Sequence, residues 1–153
     1  MSVTKDISSL ADTQKIAEML ALQLRCGDVV TLAGDVGAGK TTFAQFLIRA
    51  LSPDPVEVTS PTFTLVQTYP VQLADGSLCE LYHYDLYRIE HPSALEELGL
   101  EESEYRITLI EWPERLAGHS LPVTLALSLT LREDGTRKLM HRSEDARFKD
   151  NGL

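Results

Sequence analysis

The sequence lacks several features that would place it in a common class of protein. Its 153 residues contain only two cysteines, Cys26 and Cys79, which form no CxxC pair and no metal-ligand spacing. We therefore expect two reduced thiols that are partly packed in the fold. No apolar run approaches the ~20 residues of a membrane span, and the polar N-terminus lacks the apolar segment of a signal peptide. The expected location is the cytoplasm, without membrane contact.

Basic residues are also scarce. The chain has 14 Lys and Arg against 23 Asp and Glu, which gives a formal net charge of −9. A protein that grips nucleic acid by itself usually presents a basic face, so we expect no strong direct nucleic-acid binding by the isolated chain. An acidic cluster is either a solvated helix face or a docking surface for a basic partner. It consists of Glu96, Glu97, Glu101, Glu102 and Glu104.

Apolar periodicity and turn signals predict a single α/β domain over residues 1–142. We expect a central, mostly parallel sheet with antiparallel hairpin additions and helices on both faces. The predicted helices cover 12–24, capped by Asp12, and the segment after Lys40, with short helices opening at Ser93 and Pro113. The predicted strands cover 29–33, 62–71, 78–87, 107–111, 123–131 and 137–141. Residues 143–153 are charged and predict a disordered tail.

One motif predicts nucleotide binding. The segment GDVGAGKT, from Gly34 to Thr41, matches the pattern G-x-x-x-x-G-K-[ST], with an apolar strand before it and an amphipathic helix after it. Glycines let backbone N–H groups approach phosphate oxygens, and the helix directs its positive end at the same anion. Lys40 adds a point charge, and the Thr41 hydroxyl can reach Mg²⁺. The alternative is a glycine-rich turn with a surface lysine.

A P-loop site also needs an acidic residue at the end of a neighbouring strand. Two segments offer one: LYHYD ends at Asp85, and ITLIE, which is more apolar, ends at Glu111. Either carboxylate could bind magnesium directly or act on the attacking water. The hydroxyl-rich TSPTF segment, with Ser60 and Thr62, suits a nucleotide-sensing loop or a simple turn. Trp112, beside Glu111, either screens the site or meets a partner.

The ordered set GDVGAGKTT, TSPTFTLVQTY, YHYDLYR, EELGLEE and IEWPER resembles the bacterial TsaE family, over about residues 13–115. The resemblance implies a P-loop ATPase, using ATP and Mg²⁺, that is required for the threonylcarbamoyladenosine modification of tRNA. It implies partners TsaD and TsaB, which the ATPase binds and resets between turnovers, and it implies that tRNA is reached only through that complex.

The resemblance also implies roles for individual residues. It implies that Lys40 binds phosphate and that Thr41 binds magnesium. It also implies that Asp85 and Glu111 are the catalytic or magnesium-side carboxylates. Thr13 is expected beside the adenine, and Ser60 and Thr62 belong to the switch-like segment. The nucleotide-binding set is Thr13, Gly37, Ala38, Gly39, Lys40, Thr41 and Thr42.

Three other functions compete with an ATPase. A GTPase would carry an N-K-x-D motif, and the sole asparagine of the chain is Asn151, in the predicted tail. A small-molecule kinase would need an arginine-rich lid, for which only Arg88 and Arg106 lie in the central part of the sequence. A nucleotide-dependent assembly switch with little intrinsic hydrolysis remains open.

Overall fold

Strands and helices alternate along the computed structural model, which describes residues 2–116 and 118–148. The strands are β1 (Ser2–Ile7), β2 (Val29–Ala33), β3 (Val66–Gln72), β4 (Leu78–Asp85), β5 (Ile107–Glu111), β6 (Leu125–Leu131) and β7 (Arg137–Arg142). The α-helices are α1 (Leu10–Ala21) and α2 (Lys40–Leu51). Short 3₁₀ turns cover Pro92–Leu98, Leu100–Tyr105, Pro113–Leu116 and Ala146–Phe148.

The strands form one sheet in the order β1-β7-β6-β2-β5-β4-β3. The four central strands, β6, β2, β5 and β4, are parallel to one another, whereas β1, β7 and β3 add antiparallel pairings at the two sides. This confirms the predicted α/β class with its antiparallel additions. The parallel centre brings the carboxyl ends of β2, β4 and β5 to one edge, which is where ligands bind in open α/β sheets.

Apolar side chains cover the sheet on both faces. One face packs against α1 and α2, which place residues such as Leu20, Phe43 and Leu47 over Leu109 and Leu127. The other face is covered by the 3₁₀ turns, whose buried Leu95, Leu100 and Leu116 meet Val29, Tyr84 and Ile110. The strands that feed the edge of the sheet are therefore buried on both faces, as their nearly continuous apolar sequences require.

Local details differ from the sequence-based expectations in three places. β1 was not predicted, because its SVTKDI sequence alternates polar residues at an edge of the sheet. The cap of α1 is Ser9, whose hydroxyl accepts from the Asp12 backbone N–H at 3.2 Å, not Asp12. The segment after Ser93 forms two 3₁₀ turns that meet at Gly99, with φ 67°, instead of an α-helix.

The first part of the predicted tail is packed and not disordered. The guanidinium of Arg147 donates to both carboxylate oxygens of Asp28, at 2.7 and 2.8 Å. Phe148 is 1% exposed and belongs to the main core, and the Ser143 hydroxyl donates to the carbonyl of Thr124 at 2.5 Å. The domain therefore extends past residue 142 to Phe148 at least. The rest of the expected tail, 149–153, lies outside the described residues.

The expectation of two reduced thiols is also wrong for this structure. Cys26 and Cys79 form a disulfide with their Cα atoms 6.1 Å apart, across a sequence separation of 53 residues. Cys26 lies in the exposed connection before β2, and Cys79 lies near the start of β4. Spacing along the chain could not indicate this pair, because only the folded sheet brings the two segments together.

Within the described part of the chain, no helix combines the length and the apolar character that crossing a bilayer would demand.

Candidate nucleotide-binding site

The glycine-rich loop joins the end of β2 to the start of α2. Two of its glycines are required by geometry. At Gly34, with φ 143°, an added Cβ would lie 2.4 Å from the carbonyl oxygen of Leu129 on β6. Gly39 is the N-cap of α2 with φ 103°, a left-handed conformation that side chains rarely adopt. The loop therefore packs closely against the sheet and turns tightly into the helix, as a phosphate-binding loop must.

Lys40 is folded back into this loop. Its ε-ammonium donates to the carbonyl oxygens of Gly34 and Asp35, the second at 3.2 Å, and it lies 3.9 Å from the centroid of the Trp112 ring. Burial lowers the pKa of Lys40, and the negative charges of nearby carboxylates, Glu111 first among them, oppose that effect. A cation held on carbonyls and an aromatic face is available to a phosphate that offers it stronger hydrogen bonds.

Glu111 connects the loop to the neighbouring strands. The carboxylate is 1% exposed. Its Oε1 accepts from the Thr41 hydroxyl at 3.2 Å, and its Oε2 lies 2.6 Å from Nε2 of His83 on β4. Both carboxylate oxygens of Glu111 are therefore held, one by the hydroxyl of Thr41 and the other by the buried imidazole of His83.

Asp85 forms a second polar cluster at the same edge, directly across from Glu111 in the β4–β5 register. Its Oδ2 accepts from the Thr62 hydroxyl at 2.9 Å, and its Oδ1 accepts from the Tyr87 backbone N–H at 3.0 Å. The Ser60 and Thr62 hydroxyls lie 2.8 Å apart. The hydroxyl-rich segment thus reaches the acidic edge of the sheet through Thr62.

These groups surround a cavity of about 410 Å³. Its lining includes most of the residues expected from the sequence, namely Gly37, Gly39, Lys40, Thr41, Thr42, Thr62, Asp85, Glu111 and Trp112. Ala38, which is 1% exposed, and Ser60, which is exposed, are not part of this lining. Thr13 does not line the cavity; it lies in α1 with its hydroxyl directed at the carbonyl of Ser9, 3.5 Å away. Its expected place beside an adenine stays a prediction.

Sequence reasoning missed three residues of the site. Arg137, on β7, lines the cavity and donates to the backbone carbonyls of Ala38 and Gly37, at 3.0 and 3.3 Å. Tyr87 also lines it, with its ring centroid 4.8 Å from that of Trp112, and His83 holds Glu111 from behind. Tyr87 and His83 flank Asp85 in the YHYDLYR segment, which is a signal that could have found them. Arg137 lies in no motif.

Two residues beside the cavity have left-handed backbone conformations without being glycine. They are Trp112, with φ 61°, and Leu65, with φ 68°. Trp112 directly follows Glu111, and the Leu65 backbone links the carbonyl of Pro61 to the N–H of Asp85, at 2.7 and 3.0 Å. Such conformations cost roughly 1–3 kcal/mol each and cluster at functional sites, which agrees with the position of this cavity.

The polar groups of the site fit a magnesium ion. Magnesium prefers oxygen ligands and is usually held by one or two carboxylates together with substrate phosphates, not by a complete protein cage. The Thr41 hydroxyl, Glu111 and Asp85 supply such oxygens at one edge of the sheet. Among the described residues, no group of three or more His, Cys, Asp and Glu side chains forms a ready-made cage, which this kind of site does not need.

The fold and the site define a class: a mixed α/β protein with a candidate phosphate-binding loop at the carboxyl edge of its central sheet. Residues 7–140 match the model of a family described as "Threonylcarbamoyl adenosine biosynthesis protein TsaE". The chain belongs to the TsaE family.

Individual relatives agree with this assignment. The tRNA threonylcarbamoyladenosine biosynthesis protein TsaE of Rickettsia conorii is 37% identical over 132 residues, which cover 86% of this chain and 73% of the relative. The protein of the same name from Aquifex aeolicus is 35% identical over 142 residues, covering 91% and 96%. The crystal structure of YdiB from Bacillus subtilis superposes with a TM-score of 0.72 at 30% identity, covering 97% of this chain and 89% of that one.

Proposed function

We propose that this chain is the ATP-binding and ATP-hydrolysing component of the machinery that makes threonylcarbamoyladenosine in tRNA. In this proposal ATP hydrolysis resets the TsaD–TsaB pair between turnovers, and tRNA is reached only through that complex. The relatives named above carry tRNA threonylcarbamoyladenosine biosynthesis in their names. The proposed place of action is the cytoplasm.

One observation carries the nucleotide part of the proposal. The Thr41 hydroxyl, which directly follows the loop lysine, lies 3.2 Å from the buried carboxylate of Glu111. A hydroxyl and a strand-end carboxylate in contact beside a glycine-rich loop are the protein groups that hold magnesium in P-loop sites. A carboxylate at 1% exposure needs hydrogen-bond partners to offset the cost of burying its charge, and Thr41 and His83 are the side chains that contact it.

Each group has a part in the proposed site. The backbone N–H groups of Gly37 to Thr42 and the ammonium of Lys40 bind the phosphates. Thr41 and Glu111 hold the magnesium ion, with Asp85 as the nearby second carboxylate. When bound, magnesium neutralises charge on the transferred phosphate. Trp112 and Tyr87 cover the lysine side of the cavity and limit the access of water to it.

The contacts of Glu111 favour the magnesium side over the role of a base. Its two oxygens are engaged by Thr41 and His83, so a swing toward a water molecule would break both contacts. Asp85 is then the better candidate to orient the attacking water, because Thr62 connects it to the hydroxyl-rich segment. The Glu111→Ala variant should keep the ATP affinity measured in EDTA, but it should lose most of the affinity gain that magnesium provides and the phosphate release stimulated by the partners.

ATP turnover measured with and without the TsaD–TsaB pair tests the proposal. Phosphate release that is slow alone and faster with the partners supports it. A partner complex that forms only with nucleotide and shows no turnover would favour the assembly switch. A kinase would transfer labelled γ-phosphate to a small acceptor instead of releasing it.

The acidic surface fits the proposed division of labour. The carboxylates Glu96, Glu97, Glu101, Glu102 and Glu104 are all exposed, and the net charge is −9. Such a surface opposes direct contact with the phosphate backbone of tRNA. Contact with tRNA through TsaD and TsaB avoids that repulsion.

A further inference from the structure

His83 lies in the buried centre of the molecule beside the carboxylate of Glu111. It is 0% exposed and occupies β4 two residues before Asp85, opposite Leu109 on β5. Glu111 is two residues beyond Leu109, so the histidine reaches it diagonally across the two strands. The distance from His83 Nε2 to Glu111 Oε2 is 2.6 Å, which is within hydrogen-bond reach.

The direction of this hydrogen bond follows from chemistry. An ionised carboxylate only accepts, so the Nε2 atom of His83 carries the hydrogen. In the neutral ring Nδ1 is then a bare acceptor, and this atom is buried without a hydrogen-bond partner within the described residues. The contact with Glu111 is therefore the one polar role that the described structure gives to this side chain.

The unpartnered Nδ1 argues against a purely structural role. Leaving a buried polar atom without a partner costs about 1–3 kcal/mol, and an apolar side chain would fill the same space without that cost. The fold keeps a histidine where only its Nε2 is used. Its partner Glu111 contacts Thr41 through the other oxygen, at 3.2 Å.

We propose that His83 is a positioning residue that fixes the Glu111 carboxylate against Thr41, in the orientation in which the two bind magnesium. The inference rests on the proposed function, since it gives a purpose to the same site. In metal sites the groups that orient a ligand from behind typically contribute about 10–100-fold to metal affinity.

Two amide substitutions separate the two ring nitrogens. In His83→Gln the side-chain amide nitrogen reaches the position of Nε2, whereas in His83→Asn it reaches the position of Nδ1. His83→Leu removes both. We expect the gain in ATP affinity that magnesium provides, measured by calorimetry with excess Mg²⁺ and with EDTA, to fall about 10–100-fold in the Leu and Asn variants. The Gln variant should keep most of this magnesium-dependent gain. The ATP affinity measured in EDTA should stay at the wild-type value in the Leu, Asn and Gln variants.

A magnesium-dependent gain that is the same in the wild type and all three variants would overturn the inference while leaving the proposed function standing. If the wild type itself shows no such gain, the magnesium site of the proposed function fails, and the role of His83 fails with it. The Asn and Gln variants bury equivalent amides, so a difference between them reports position and not stability.

A measurement on the wild-type chain covers the case in which the variants do not fold. Nitrogen NMR of the His83 ring should show a hydrogen on Nε2 and none on Nδ1. The Nε2 resonance should change between ATP with Mg²⁺ and ATP with EDTA. A ring protonated at Nδ1 alone, or an Nε2 resonance indifferent to Mg²⁺, would overturn the assignment.

Discussion

The ε-ammonium of Lys40 lies 3.9 Å from the centroid of the Trp112 ring, with the carbonyls of Gly34 and Asp35 as its hydrogen-bond acceptors. Trp112 is the only tryptophan of the chain. A phosphate that binds in the loop competes with both carbonyls and with the ring for this cation. The indole is therefore a reporter of whatever the lysine contacts.

We expect ATP to change the fluorescence of Trp112, and the Lys40→Ala variant to bind ATP about 10–100-fold more weakly. The loss corresponds to a charged hydrogen bond worth about 1.5–3 kcal/mol. Titration followed by fluorescence and by calorimetry measures both effects. Lys15→Ala, which removes an exposed lysine of α1, is the matched control. Unchanged ATP affinity in Lys40→Ala would contradict a phosphate site in this loop.

Arg137 supports the loop from a strand about a hundred residues away in sequence. Its guanidinium donates to the carbonyls of Ala38 and Gly37, at 3.0 and 3.3 Å, and these contacts attach the loop to β7. We expect Arg137→Ala to weaken ATP binding at least about tenfold. Arg132→Ala is the matched control. Arg132 lies in the same β6–β7 hairpin but forms an ion pair with the exposed Asp6, so this variant should bind ATP with nearly the wild-type affinity. Equal affinities by calorimetry would contradict this role.

A residue of the site can be predicted from the sequence when the pattern that identifies it is local in the chain. The sequence predicts the glycine-rich loop, Lys40 and Thr41 because strand, loop and helix are contiguous and the pattern is specific. The structure places these residues and Glu111 around one cavity. The sequence does not predict the role of Arg137 or the Cys26–Cys79 disulfide, because both depend on contacts between distant segments. Arg137 reaches the site because β7 pairs with β6 and β1, and the disulfide forms because the start of β4 lies beside the segment before β2. No local periodicity encodes either neighbour.

The packing of the segment that begins at Ser143 was not predicted from the sequence, for a different reason. Phe148 is the only large apolar residue among residues 143–148, and the charges of this segment resemble those of a solvated tail. The sequence does not reveal that Arg147 meets Asp28 or that Phe148 enters the core. One apolar residue carries no periodicity, so only the folded partners give the segment its structure.

The disulfide should stabilise the fold without altering the nucleotide site. A loop closed by 53 residues corresponds to roughly 4 kcal/mol in the chain-entropy model. Cys79 lies at the opposite end of β4 from Asp85, roughly 20 Å away along the strand. We expect the Cys26→Ser, Cys79→Ser double variant to unfold at lower urea concentration than the oxidised wild type, with unchanged ATP affinity.

Reduced wild type is the control, because reduction removes the bond between Cys26 and Cys79 without changing the sequence. It should match the double variant in urea, and both should bind ATP as the oxidised chain does. If oxidised and reduced chains unfold at the same urea concentration, the bond contributes nothing to stability.

His141 should make stability depend on pH. It is 1% exposed on β7, and burial, with the charge of Lys5 second, lowers its pKa. The unfolded state then takes up a proton at higher pH than the folded state, so the free energy of unfolding falls as pH drops below the ordinary histidine value of about 6.5. The loss is at most about 1.4 kcal/mol per pH unit.

Urea unfolding between about pH 7 and pH 5 measures this slope in His141→Leu and Lys5→Gln. The first variant should lose the contribution of His141 to the slope. The second should keep most of it, since removing Lys5 leaves the larger effect of burial. A slope in His141→Leu identical to that of the wild type would show that this histidine does not titrate differently on folding.

The C-terminal segment should contribute to stability through Phe148. This side chain is 1% exposed in the main core. We expect the Phe148→Ala variant to lose about 3–5 kcal/mol of stability, which is the usual cost of removing a buried phenylalanine ring. The matched control is Phe63→Ala, because Phe63 is 81% exposed and exposed substitutions usually change stability by less than about 0.5 kcal/mol. Urea unfolding at neutral pH compares the two. Equal stabilities for both variants would mean that Phe148 is solvated and that the domain ends before it, as the charge of the segment alone suggests.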